Sequence, residues 1–156
     1  MRLAETCAWL SEEWLERCNM VSNELIQAAL LAKVQSITTL ASALTDGTKG
    51  IKEFNYKGTD FSYPCVRLAL ERQTELSEMS CPSQVDFSFY VFSEKSSSKE
   101  ADQIAGIIVS AIRDVSFKQN TVRFTKIRIL ENIPAIAQDE ITWRAQIRCQ
   151  SIINLA

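Results

Sequence analysis

Histidine is absent from the 156 residues, glycine occurs four times and proline three times. Each scarcity closes off a class of chemistry. Without imidazole the chain lacks the commonest general acid–base group near neutral pH, and a cysteine nucleophile lacks its usual base. Zinc would have to draw its ligands from scattered cysteines and carboxylates. Gly47, Gly50, Gly58 and Gly106 are too dispersed to form a phosphate-cradling loop. No excess of one charge is present either: 17 Lys and Arg stand against 19 Asp and Glu, a net charge of -2, so the chain as a whole gives no reason to expect nucleic acid as its main ligand. Cys7, Cys18, Cys65, Cys81 and Cys149 contain no CxxC pair and are odd in number. No secretory leader pattern accompanies them, so the expectation is reduced, mostly buried thiols in a protein made in cytoplasm. Asp139-Glu140 read as loop charges beside a strand start rather than a catalytic pair. The expectation is a protein that is not an enzyme, with no catalytic residue, cofactor or metal.

What is present is hydrophobic periodicity. With 46% hydrophobic and 23% charged residues the chain has the composition of an ordinary soluble domain, long enough for one core over residues 20–156. In Val85-Asp86-Phe87-Ser88-Phe89-Tyr90-Val91 the apolar residues alternate with polar ones, and Phe92 extends the run, as a half-buried strand requires. Ile141, Trp143, Ala145, Ile147, Cys149 and Ile153 mark one face of a longer final strand, with Thr142, Arg144, Gln146, Arg148 and Gln150 on the other. Thr121–Glu131 is a third strand whose apolar phase shifts from Val122 and Phe124 to Ile127 and Ile129, which predicts a bulge near Thr125-Lys126. Arg123, Lys126 and Arg128 there, with Arg144 and Arg148, raise the prospect of a modest basic surface, although a solvated sheet face explains them as well.

Helix signals punctuate the strands. Ser97-Ser98-Lys99-Glu100 has capping-box spacing ahead of an apolar stripe at Ala101, Ile104, Ala105, Ile108, Ala111 and Ile112, predicting a helix over Lys99–Asp114 that packs on the sheet. Gly106 inside it either permits close approach of the sheet or a neighbouring subunit, or is simply tolerated. Ser22 predicts the cap of a helix over Asn23–Leu44, weakened at Ser36 and the β-branched Ile37-Thr38-Thr39, with Asp46-Gly47 as its stop. Thr45–Tyr63 then holds three of the four glycines and reads as a long exposed excursion with a short strand near Ile51–Tyr56. Tyr63-Pro64 leads into a strand over Cys65–Glu71, and Thr74–Ser83 connects it to the next as a long hairpin. Residues 1–19 read as an amphipathic helical extension, with Leu3, Cys7, Leu10, Trp14 and Cys18 on one stripe and Glu12, Glu13 and Glu16 off it. Its apolar length is too short to span a bilayer, and its acids disfavour an anionic membrane surface. The fold class expected is α+β: a mainly antiparallel sheet of about four strands packed by helices, in the order α-α-(β)-β-β-α-β-β.

This order resembles the tail-terminator (tail-completion) proteins of long-tailed bacteriophages. The likeness covers about Asn23–Ile153. Glu24–Leu44 looks like the family's first helix, Val85–Phe92 followed by Ser93-Glu94-Lys95 like its strand before the second helix, and Ile141–Ile153 like its last strand, while Met1–Asn19 departs from the compact start. The resemblance implies a structural virion protein of the tail or neck, assembled in the host cytoplasm. It implies a homo-oligomeric ring, commonly a hexamer, that caps the head-proximal end of the tail tube, ends tube polymerisation and joins a head-completion or connector protein. DNA would pass through the lumen without specific binding, and no membrane would be involved. Candidate interface residues are Asp46, Lys49, Lys52, Tyr56, Lys57 and Asp60 in the first excursion, Glu75 and Glu78 in the hairpin, and Arg144 and Arg148 on the last strand. Heterologous contacts between different patches of neighbouring copies would close such a ring. Glu71, Glu75 and Glu78 would suit a lumen that must not grip DNA, or would simply serve solubility.

Two other readings stay open. A head-closure or tube protein would share the small α/β design, and filaments rather than closed rings would identify a tube protein. A small nucleic-acid-binding α+β module would carry aromatic residues interleaved with basic ones on its open sheet face, where only Tyr90 and Phe92 fall in the polar phase.

Overall fold

A computed structural model describes residues 21–58, 62–76 and 82–155. The amphipathic stretch Arg2–Cys18, Cys7, Cys18 and Cys81, and the candidates Asp60 and Glu78 lie outside the described residues.

The chain opens with α1 (Asn23–Gln35), whose first turn is closed by Ser22 accepting a hydrogen bond from the Leu25 amide at 3.3 Å. The expected weakness at Ser36-Ile37 is a true break. Ser36 turns its hydroxyl back onto the Lys33 carbonyl, and a short α2 (Thr38–Ala43) restarts after Ile37. Asp46-Gly47 stops the helical region: Gly47 takes φ +58, a left-handed conformation that a side chain would strain, and starts a 3-10 turn over Gly47–Gly50.

Seven strands follow among the described residues: β1 (Ile51–Glu53), β2 (Cys65–Glu75), β3 (Ser83–Ser93), β4 (Phe117–Gln119), β5 (Val122–Phe124), β6 (Arg128–Ala137) and β7 (Trp143–Leu155), with α3 (Lys99–Ile112) between β3 and β4. The sheet is therefore larger than the four strands expected. The hydrogen-bonded order is β1-β2-β3-β7-β5-β4, with β6 pairing β7 beyond β5. Only the β1–β2 pair is parallel. The excess comes from the three-residue β4 and from the division of the expected Thr121–Glu131 strand into β5 and β6; β4 and β5 are joined by a turn at Asn120 with φ 55.

The expected bulge near Thr125-Lys126 explains how β5 and β6 share one edge of β7. Phe124 pairs Ile153 and Arg128 pairs Gln150, so three residues, 125–127, lie opposite two, 151–152. That one-residue excess returns Ile127 to the inner phase, where it is 1% exposed.

The inner face carries the core. Val85, Phe87, Phe89 and Val91 of β3 and Ala145, Ile147, Cys149 and Ile153 of β7 are all buried, as the alternation predicts. Helix α3 covers this face with Ala101, Ile104, Ala105, Ile108 and Ile112. Helix α1 reaches strands at both ends of the sheet order. Its Gln35 donates to the Ile51 carbonyl of β1 at 3.2 Å, and its Lys33 ammonium lies 5.4 Å from the Phe117 ring of β4. The sheet is thus curled around α1.

Two details of α3 correct the sequence reading. The helix ends at Ile112 rather than Asp114, and its capping box does not close: the cap residue is Ser98, with no side-chain bond, while Glu100 turns away to the Ser93 hydroxyl and lies 3.6 Å from the Lys95 ammonium. Nor does Gly106 admit the sheet. It is exposed, and a methyl group built there meets no atom within 4 Å.

Candidate interface surfaces

Candidate contact residues fall into two poles and one sheet face. Strand β2 separates the poles. The Thr45–Gly58 excursion starts beside Cys65 at one end of β2, and the connection after Glu75 leaves from the other, so ten strand steps, about 30 Å, lie between them. Asp46 and Lys49 sit at the first pole, where Asp46 accepts a hydrogen bond from the Ser62 amide. Glu75 is exposed at the second. The tip of the β6–β7 hairpin also belongs to the first pole. There Asp139 accepts from the amides of Ile141 (2.9 Å) and Thr142 (2.8 Å). Those bonds, that from Ile141 first, hold its carboxyl below the ordinary value of 3.8. Asp139 and Glu140 are loop charges in the structure too.

The outer sheet face is polar and largely completed within one copy. Ser88 is fully buried although it faces outward, because long side chains close over it. Its hydroxyl donates to Glu71 and accepts from Gln146 Nε2 at 3.4 Å. Asp86 accepts from Arg72 at 3.0 Å and from Gln150 at 3.1 Å. The register shift between Leu70 and Arg72 makes this possible by placing Glu71 as an extra residue opposite β3. Arg148 lies between Glu131 at 3.1 Å and Glu71 at 3.7 Å, and those two carboxylates push its guanidinium pKa upward.

The basic surface expected from Arg123, Lys126, Arg128, Arg144 and Arg148 is therefore broken up. Carboxylates flank Arg148, and Lys126 lies 3.8 Å from Asp114. Arg144 instead stacks 5.8 Å from the Tyr90 ring.

Near β1 the same face turns aromatic. Phe54 lies 5.0 Å from Tyr90, which lies 6.5 Å from Phe92. Tyr56 has the Lys52 ammonium 5.1 Å from its ring and the Arg67 guanidinium at 6.0 Å. Gly58 lets that tyrosine fold back, since a Cβ there would overlap the Tyr56 hydroxyl. Arg67 is 6% exposed and donates to the carbonyls of Gly50 and Val66, which fastens the first pole to β2. Phe54, Tyr56, Arg67 and Phe92, with Tyr63, Cys65, Gln138, Asp139 and Thr142, surround a cavity of about 270 Å³. The structure thus brings Lys52, Tyr56 and Arg144 to one face, and leaves Asp46, Lys49 and Glu75 apart at the poles. Arg67 and Phe54 were missed from the sequence: Arg67 reads as the polar phase of a strand, and Phe54 as part of the short strand near Ile51–Tyr56 within an exposed excursion.

Burial raises the thiol of Cys65 to about 11 and that of Cys149 to about 12, so both stay protonated at neutral pH. Among the described residues no group of three or more Cys, Asp or Glu could hold a metal ion, and no helix is long and apolar enough to cross a membrane.

No protein-family model matches the chain, and no curated protein matches it in sequence. Several solved chains share its fold, and two of them cover most of it. A chain from the virion of a native gene transfer agent particle superposes with TM-score 0.63 at 13% identity, over 82% of this chain and 93% of that one. A second solved chain, which carries no functional description, gives TM-score 0.56 at 16% identity, over 87% of this chain and 98% of that one. At such identities the likeness establishes a common fold.

Proposed function

We propose that this chain is a structural virion protein of a phage-like particle: a tail terminator that closes as a ring on the head-proximal end of the tail tube and joins it to the head connector. The observation that carries this reading is the fold shared, over most of both chains, with a component of the gene transfer agent virion. Two features of the molecule support the terminator role. Its long loops lie at opposite poles, about 30 Å apart along β2, as a spacer between two different partners needs. Its outer sheet face satisfies most of its own polar groups, which favours the poles and strand edges for assembly.

Electron microscopy of the purified protein, alone and with tail tubes, tests the role. Closed rings that cap tubes without lengthening them are expected; filaments of the protein alone would instead identify a tube protein. Deleting Lys49–Lys57 should leave uncapped or headless tails, and normal head-joined tails from that variant would remove the first pole from the contact.

A further inference from the structure

Resting on the ring reading above, we propose that the free edge of β6 is the seam that receives a second copy of this chain, through the β1 edge of the neighbour. Among the described residues β6 pairs with β7 alone, although it is ten residues long. Strand β4 covers the adjoining β5 but stops short of β6. An uncovered edge of this length offers a row of backbone donors and acceptors, which proteins normally blunt unless something pairs with it.

The edge is blunted at three places. Ile127 gives its amide to the Val115 carbonyl and its carbonyl to the Asp114 amide, both at 3.0 Å, and Leu130 is an extra residue in the register shift between Ile129 and Glu131. Pro134 and Ala135 fall in the register shift between Ile133 and Ile136, and the Ala135 amide is already taken by Asp102 of α3 at 2.8 Å. This leaves residues 128–133, bulged at Leu130 and bounded by a blocked position at each end, which restricts pairing to few registers. Exposed apolar side chains gather beside it: Leu130 is 41% exposed, Ile136 49% and Ile141 65%.

The other end of the sheet supplies the complement. Strand β1 pairs only with β2, so its far edge is free among the described residues. Lys52 lies in β1 with Lys49 and Lys57 near it in the chain and Phe54 47% exposed, against Glu53 as the acid of β1, whereas Glu131, Asp139 and Glu140 flank the β6 side along with Arg128. Lys52 and Glu131 both lie on the outer sheet face, Lys52 opposite Arg67 and Glu131 opposite Arg148, which already lies 3.1 Å from it. Setting β1 of one copy beside β6 of the next puts Lys52 and Glu131 on one face, where Lys52 adds a second cation beside that carboxylate. Because the two edges differ, the contact is heterologous and propagates around a ring.

Native mass spectrometry and sedimentation of the full chain test the seam. Leu130→Glu, which places an unpaired charge in it, should weaken self-association by ~10-fold or more while leaving circular dichroism unchanged. Lys52→Glu and Glu131→Lys should each weaken it, and the double variant should recover assembly. Recovery separates a β1–β6 contact from a β6–β6 contact, which the double variant would not restore. Hydrogen exchange should show those amides of 128–133 that point away from β7 protected in the oligomer and open in monomeric Leu130→Glu, while the alternate amides bonded to β7 stay protected in both. The proposal is overturned by a wild-type chain that stays monomeric at its solubility limit, by variants that assemble like wild type, or by protection of the outward-pointing amides of 128–133 within the monomer. A ring that forms through this seam yet never caps tubes would defeat the terminator reading and leave the seam standing.

Discussion

Phe87 and Ser88 are neighbours on β3, both fully buried, and point to opposite faces of the sheet. Replacing each by alanine separates the two ways this sheet is held. Phe87 sits in the apolar core with its ring edge-on to Phe89 at 5.7 Å, and its loss leaves a cavity among Phe89, Val85 and the inner residues of β7, where truncation costs ~3–5 kcal/mol. Ser88→Ala deletes two hydrogen bonds but strands little. The Glu71 side chain is 29% exposed and retains Arg148 nearby, and Gln146 keeps its 3.1 Å bond to the Tyr90 hydroxyl, so the cost is about 1 kcal/mol. For a chain of this size the second change should lower Tm by about 2–4 °C and the first by several times that. Urea titration followed by far-UV circular dichroism at a concentration where the protein is monomeric measures both, with the slope m unchanged if the unfolded states match. Equal losses, or a larger loss for Ser88→Ala, would refute the assignment of the main core to the inner face.

Two further outcomes follow from local geometry. Cys65 and Cys149 should resist alkylation in the native protein at pH 8 and react on unfolding. Since their folded pKa values of about 11 and about 12 lie above the ordinary 9.0, stability present below pH 9 should decline as pH rises toward those values, and Cys149→Ala should flatten that decline in a pH series of urea titrations. Ser22→Ala removes the side-chain bond that caps the start of α1 and should cost about 1 kcal/mol; a change within error would mean that packing alone fixes that helix end.

The elements long enough to show a period were legible in the sequence. β3 and β7 each repeat the two-residue alternation over eleven and thirteen residues, and α3 carries a clear apolar stripe, so their faces could be read without a structure. Even the phase slip at Thr125-Lys126 was readable, because Ile127 could re-enter the core only by an extra residue. Strand β5 lies within the strand predicted over Thr121–Glu131, but β4 was not readable, since three residues give no period and the turn into β5 carries Asn120 rather than a glycine pair. Helix α1 buries a stripe at Ile26, Ala29, Leu30 and Val34, but Leu25 and Ala28 on its exposed side are apolar too, so its periodic signal is diluted.

The candidate surfaces were less legible, for a related reason. Polar alternation announces that a face is wet but not who satisfies it. Arg148 reads as a free cation until the register sets it between Glu71 and Glu131. Ser88 reads as exposed until Glu71, displaced by the bulge in β2, closes over it. Partners that lie 17 to 64 residues apart are invisible to local pattern.

That closure bears on how copies of this chain meet. A face whose carboxylates and guanidinium groups are already matched gains little by docking, because new contacts must first break bonds of similar worth. Exposed apolar side chains away from those matched groups include Leu130 and Ile136 on the β6 edge, Ile141 at the hairpin tip and Phe54 at the β1 end of the face, while Ile152 is exposed on the polar face itself. Burying apolar area at the strand edges displaces water at less cost in internal pairs than docking on the matched charges, so association energy is more available there. The same division follows from the topology. Edges of two different strands can be joined again and again around a ring, whereas a sheet face can only be covered once.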